Sequence, residues 1–195
     1  MLLDGLRDVP PGKLAAVVTH LQMVQRPAPR PVPPVAADLV AHDRPDPAWY
    51  RALFTRVGRD WLWFSRLSLE DAALGAILHD PDVQVFSLRQ GGQDLGLLEL
   101  DFRVAGACEL AYFGLAAQLQ GQGAGRWLME RALDLAWAGS ITRFHVHTCS
   151  LDSPAALAFY IRSGFTPYAR QVEVADDPRL TGVLPRDAAP QVPIL

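Results

Sequence analysis

Along the chain the spacing of apolar positions switches between the period of a strand and that of a helix. Residues 13–24, KLAAVVTHLQMV, are dense in β-branched and apolar side chains and predict a strand. The next stretch, RPAPRPVPPV at residues 26–35, holds too much proline for a helix or an inner strand and predicts an extended connector. Asp46 before Pro47 predicts a helix start, with the aspartate as cap and the proline in the first turn. The aromatic-rich run behind it reads as helical at least to Val57. A second helix is predicted over SLEDAALGAIL, with Ser68 as cap and Asp71 completing a capping box. Two strand patterns separated by Gly91 and Gly92 predict a hairpin. In its second arm Leu98, Leu100 and Phe102 alternate with Glu99, Asp101 and Arg103, which predicts one wet face.

Two further strands are predicted, CELAYFGL at residues 108–115 and ITRFHVHTC at residues 141–149. Between them stands LQGQGAGR followed by an amphipathic pattern, with Leu128, Ala132 and Leu135 inward and Glu130, Arg131 and Asp134 outward. Strand, turn, helix and strand make a βαβ unit, so the two flanking strands should run parallel. Cys108 would then begin one strand and Cys149 end the other, too far apart to bond. Both cysteines read as reduced, packed thiols.

Composition narrows the class. The 195 residues are 50% hydrophobic with a formal net charge of −3, which suits a soluble globular chain. No basic cluster points to nucleic acid, and no apolar run reaches the ~20 residues that span a bilayer. The opening MLLDGLRDVPPGK lacks a signal-peptide layout, so the expected location is the cytoplasm. The division expected is a strand and proline-rich connector over 1–45, a main domain over 46–175, and an irregular tail over 176–195.

Glycines as dense as Gly121, Gly123 and Gly125 fit a sharp bend or a close approach to backbone amides. The first amides of a helix have no partner within it and point at whatever anion lies before them. A nucleoside-triphosphate loop would end in Gly-Lys-Ser/Thr, and Arg126-Trp127 stand here instead. A dinucleotide fingerprint would need a glycine where Arg126 sits. Downstream, SLDSPAALAFYIRSGF repeats the theme of a capped helix, with Ser153 before Pro154 at its start and Gly164 at its end.

The two motifs together resemble the GCN5-related N-acetyltransferases (GNAT). That family reads Gln/Arg-x-x-Gly-x-Gly/Ala between a strand and a helix, matched by Gln120, Gly123 and Gly125. Its next motif is matched by Ala156, Tyr160, Gly164 and Phe165, with Ser153 where the family has asparagine. The resemblance covers residues 83–165. It implies an α/β fold with a mixed, mostly antiparallel sheet, a splayed parallel strand pair and flanking helices. It implies acetyl-CoA as co-substrate, no metal, and a small-molecule or peptide amine as acceptor. Pantetheine would meet Leu115 and Ala117, with Ser153 in the asparagine's place. The diphosphate would meet Gln120, Gly121, Gln122, Gly123, Ala124, Gly125 and Arg126. Tyr160, otherwise an amphipathic aromatic on a packed helix, would protonate the departing thiolate.

Such chemistry also needs a base, since an amine of pKa ~8–10 arrives mostly protonated. Glu109 sits where the histone-acetylating branch of the family places its glutamate, though it reads equally as a strand-end carboxylate. Glu99 and Asp101 are the runners-up. His145 and His147 share a strand face, which permits metal ligation, but without carboxylate or cysteine company they read as partners in local hydrogen bonds. Two rival functions remain, a non-catalytic acyl-CoA-binding module and a dinucleotide-dependent oxidoreductase. The tail shows no final hairpin partner of the kind the family has, and pairing with a second copy as a homodimer is left open.

Overall fold

A computed structural model describes residues 4–195 of the protein; the reading of the opening residues as no signal peptide falls partly on residues 1–3, outside those described. The elements follow as β1 (Lys13–Met23), β2 (Asp38–His42), α1 (Pro47–Gly58), α2 (Asp71–Leu78), β3 (Val83–Gln90), β4 (Gln93–Asp101), β5 (Ala107–Leu115), α3 (Ala124–Ala136), β6 (Arg143–Cys149), α4 (Ala156–Arg162) and β7 (Thr166–Asp176). One sheet holds all seven strands in the order β2-β3-β4-β5-β6-β1-β7. Every neighbouring pair is antiparallel except β5 with β6, so the sheet is mixed and mostly antiparallel as expected.

The hairpin at Gly91-Gly92 and the cap at Asp46 form as predicted. The Asp46 carboxylate accepts from the amides of Ala48 and Trp49 at 2.9 and 3.0 Å. Four local expectations are corrected. Helix α2 begins at Asp71 without a side-chain cap, because the Ser68 hydroxyl donates backwards to the Phe64 carbonyl at 3.0 Å. Strand β4 has no wet face. Its Leu98 and Leu100 meet Leu128 and Ala132 of α3, while Leu97 meets Tyr50, Leu53 and Phe54 of α1 on the opposite face. Glu99 follows Leu97 under α1 and is 0% exposed. Alternation predicts a solvated face only when nothing covers it, and here helices cover both.

Glu130 of α3 is buried rather than outward, because the proline-rich connector runs across the helix and brings Arg30 to it at 3.2 Å. Arg26 of the same connector pairs with Asp134. Finally, α4 starts at Ala156 rather than at Pro154. The Ser153 carbonyl accepts from the Ala156 amide at 2.8 Å, making an opening turn that contains the proline. Its far end follows expectation: the amides of Gly164 and Phe165 return to the carbonyls of Ile161 and Tyr160, a Schellman closure.

Strand β1 comes from the start of the chain yet lies inside the sheet, between β6 and β7. It supplies the partner for β7 that the tail lacks, with Val17 opposite Val172 and Lys13 opposite Asp176. The tail after β7 is irregular but packed. Leu184, Ala188 and Ala189 cover Leu14 and Leu62. Arg179, with 1% of its side chain exposed, forks onto Asp177 and donates to the carbonyls of Ala188, Ala189 and Val192. Removing one member of a buried ion pair strands the other charge, a cost of about 3–5 kcal/mol. Arg179→Met is therefore expected to lower the thermal midpoint by roughly 6–20 °C for a chain of this size. A melt unchanged from the parent would show that the tail braces nothing.

Candidate active site

The parallel pairing of β5 with β6 lasts only from Ala107 opposite Arg143 to Glu109 opposite His145. Beyond that rung the strands separate, so the backbone of β5 between Leu110 and Leu115 is held from one side only, by β4. A bulge marks the same place: Leu100 faces Leu110 and Glu99 faces Tyr112, which leaves Ala111 as the extra residue. Bulges re-aim the strand and free backbone groups from the ladder. The wedge between the diverging strands is a cavity of about 530 Å³. Its floor is apolar, from Leu110, Phe113, Val146 and Phe159.

At one end of the wedge lies the glycine turn. Gly123 occupies the cap position of α3 at φ +80° with no side-chain cap, so the first amides of the helix meet no side chain. The left-handed backbone there strains any residue with a Cβ, and an added Cβ would stand 3.3 Å from Pro33 of the connector. Gln120 donates its side-chain amide to the Leu115 carbonyl at 3.1 Å, and Gln122 donates to the Gln118 carbonyl at 2.7 Å. Both glutamines thereby stiffen the loop between β5 and α3. Leu115, Gln120, Gly121 and Gly125 line the cavity, as do Ser153 and Tyr160. Gln122, Gly123, Ala124 and Arg126 belong to the same turn but lie outside the lining, as do Ala117 and Glu109. Arg126 is exposed and donates to the Pro31 carbonyl at 3.4 Å.

Tyr160 projects from α4 into the wedge. It is 7% exposed and packs edge-on against Phe165 at 5.9 Å and Phe113 at 6.4 Å. Its hydroxyl has no hydrogen-bond partner among the described residues, and burial pushes its pKa well above the ordinary phenol value. A phenol so placed stays protonated at neutral pH and keeps its proton for whatever enters the cavity.

The other end of the wedge is aromatic and acidic. Trp61, Trp63, Phe64 and Tyr112 form a wall, joined by Asp152 and Glu173. Trp63 fits against β5 because Gly114 has no side chain: a Cβ there would stand 2.4 Å from Val57 and 2.9 Å from the Trp63 ring. Asp152 holds the indole N–H at 3.1 Å and takes the Thr148 hydroxyl and the Cys149 amide at 2.7 and 2.9 Å. The tail supports this wall from behind, through Arg59–Asp187 at 2.6 Å and Gln191 donating to the Asp60 carbonyl at 2.6 Å.

The three carboxylates singled out in the sequence have different company. Glu99 is clamped by Arg66 at 2.6 Å and by the Tyr50 hydroxyl, beneath α1. Asp101 is forked by Arg103 at 2.5 Å, which holds its pKa below the usual carboxylate value against the effect of burial. Glu109 alone of the three pairs with a histidine, with Oε1 3.2 Å from Nδ1 of His147. That contact lowers the pKa of Glu109 and raises that of His147. His147 lines the cavity and Glu109 does not. No group of three or more His, Cys, Asp or Glu poised for a metal occurs among the described residues. Cys108 is buried and Cys149 partly so, each a free thiol.

Sequence reasoning missed four parts of this site: His147 as a cavity residue, the bulge at Ala111, the role of Gly114, and Asp152. The pair of histidines on one strand was visible, but their neighbour across the parallel rung was not. Gly114 carried a signal, a glycine inside a strand, which marks a close approach.

A sheet split along one parallel pair, with a glycine turn opening a helix at the split, is the layout of an acyl-transferring domain. The Acetyltransferase (GNAT) family matches residues 42–165, and the chain belongs to that family. No curated protein matches the sequence. Among solved structures, a GCN5-related N-acetyltransferase from Sphaerobacter thermophilus is similar at 17% identity with a TM-score of 0.56, over 86% of this chain and 53% of that one. An aminoglycoside acetyltransferase from an uncultured soil metagenomic sample, in complex with trehalose, is similar at 16% identity and a TM-score of 0.54, over 66% of this chain and 88% of that one. A functionally unknown conserved protein from Staphylococcus epidermidis ATCC 12228 is similar at 13% identity and 0.54, over 85% and 63%. The chain thus spans less than two thirds of the first and third of these neighbours. At such identities the likeness speaks for the fold, which is GNAT-like. No helix among the described residues is long and apolar enough to cross a membrane.

Proposed function

We propose that the protein moves an acetyl group from acetyl-CoA to a primary amine by direct attack through a tetrahedral intermediate. The observation that carries this reading is the wedge itself: a slot with an apolar floor, a helix start without a side-chain cap at one end, and in its wall a phenol hydroxyl with no partner among the described residues. The diphosphate would lie on the amides of residues 121–126, and pantetheine along β5 at Leu115 and Ala117 and by Ser153. The thioester carbonyl would reach the bulged stretch of β5, where backbone amides can hold the oxyanion. Tyr160 would give its proton to the leaving sulfur, and Glu109 would serve the amine's side. The carboxylates of Asp152 and Glu173, which pair with no cation among the described residues, favour a cationic acceptor, a small molecule or a peptide amine. An aminoglycoside acetyltransferase among the similar structures makes antibiotics a sensible part of any panel. The open edge of β7, with Tyr168, Val172 and Val174 exposed, is where a second copy would pair in a homodimer.

The test joins calorimetry with coenzyme A to a thiol-release screen of acetyl-CoA against small amines, peptides and aminoglycosides. Binding together with amine-dependent thiol release is the expected result. Binding without release from any amine would favour a module that senses acyl-CoA. Absence of binding at millimolar coenzyme A would defeat the proposal.

A further inference from the structure

Resting on that N-acetyltransferase reading, we infer that His147 takes the amine's proton and that Glu109 acts through it as a positioning residue. The geometry begins at the last parallel rung, Glu109 opposite His145. Two residues further along β6 and on the same face, His147 stands where the strands have parted and is one of the residues that line the cavity. Glu109 lies outside that wall but within 3.2 Å of Nδ1. A carboxylate at Nδ1 fixes the tautomer that carries its proton there, which leaves Nε2 as the basic atom. The same arrangement orients an imidazole in many hydrolytic sites: the acid holds the ring and the ring moves the proton.

The alternatives are occupied. Arg66 and Tyr50 hold Glu99, and Arg103 holds Asp101, so both carboxylates are engaged within the protein rather than turned to an incoming amine. The groups facing His147 are Glu109 from β5, His145 from its own strand, Asp152 beyond the end of β6, Glu173 from β7 and His20 from β1, with ring centroids 5.8 Å apart. Glu109 is foremost in raising the pKa of His147, and burial opposes it. A base tuned upward from 6.5 suits an amine that must lose a proton before and during attack.

In the step, the amine lone pair forms the C–N bond and the C–S bond breaks with its electron pair leaving on sulfur. The proton lost by nitrogen passes to Nε2 of His147, and the proton gained by sulfur comes from Tyr160. Exchange with solvent then restores both side chains, and the products are the acetamide and free coenzyme A.

The experiment uses the full chain and the amine that releases thiol fastest in the screen above. Parent, His147→Gln and Glu109→Gln are compared by kcat/KM against pH, by coenzyme A affinity, and by proton NMR titration of the imidazoles. The ionisation of the amine is common to all three and cancels in the comparison. His147→Gln is expected to lower kcat/KM about a hundredfold or more and to flatten the limb of the profile set by the enzyme. Coenzyme A affinity should be retained, which also reports an intact fold. Glu109→Gln should keep part of the activity while the limb and the His147 imidazole both titrate at lower pH. A limb intact in His147→Gln, or an imidazole unmoved in Glu109→Gln, overturns the inference. Failure of the parent to bind coenzyme A is a different outcome and strikes the N-acetyltransferase reading instead.

Discussion

Gly123→Asp is expected to abolish coenzyme A binding, while Gly123→Asn weakens it only modestly. Position 123 caps α3 in a left-handed conformation at φ +80°, which asparagine and aspartate tolerate better than other residues with a Cβ. The two variants share shape and differ in charge, so the comparison isolates the electrostatics. A carboxylate about 4 Å from a phosphate repels it by roughly 4 kcal/mol per charge pair at an effective dielectric of 20. That is near a thousandfold in affinity for one pair, and the ligand brings two phosphates to the turn. Both variants carry the same contact with Pro33, so any shared loss measures crowding by the connector. Calorimetry with coenzyme A decides it: equal affinity for Gly123→Asp and the parent would remove the diphosphate from this turn.

Tyr160→Phe is expected to lower kcat by roughly 10²–10⁴, the range for loss of a general acid, with coenzyme A affinity within about twofold of the parent. The ring packs against Phe113, Phe159 and Phe165, and phenylalanine keeps every one of those contacts. The hydroxyl has no partner among the described residues, so its removal strands no buried group there and the melting point should hold. A fall in turnover at constant stability therefore reports chemistry. Single-turnover thiol release measures it directly, and equal rates for variant and parent across pH would take Tyr160 out of the mechanism.

Much of this arrangement was legible because it is local. The turn at Gly121–Gly125, the helix closure at Gly164 and the parallel unit around α3 each follow from residues close together in the chain. What sequence could not show was coverage and juxtaposition. Glu99 and Glu130 sit at positions that alternation and helical period both assign to water, yet α1 covers one and the proline-rich connector covers the other. Glu109 and His147 lie far apart in sequence and meet only because two strands share three rungs before parting. The missing partner of β7 had the same cause: it was sought after the strand and stood at the other end of the chain.

That origin of β1 bears on how the molecule comes into being. During synthesis the first strand leaves the ribosome long before β6 and β7, the two neighbours that give its hydrogen-bonding edges a home. An apolar segment must therefore wait, unsheltered, until β6 (Arg143–Cys149) and β7 (Thr166–Asp176) are made. Pairings between such remote parts of a chain form slowly. The nascent protein thus has a vulnerable interval that ends only when β1 is threaded between β6 and β7, and a chaperone that shields residues 13–23 would act in that interval.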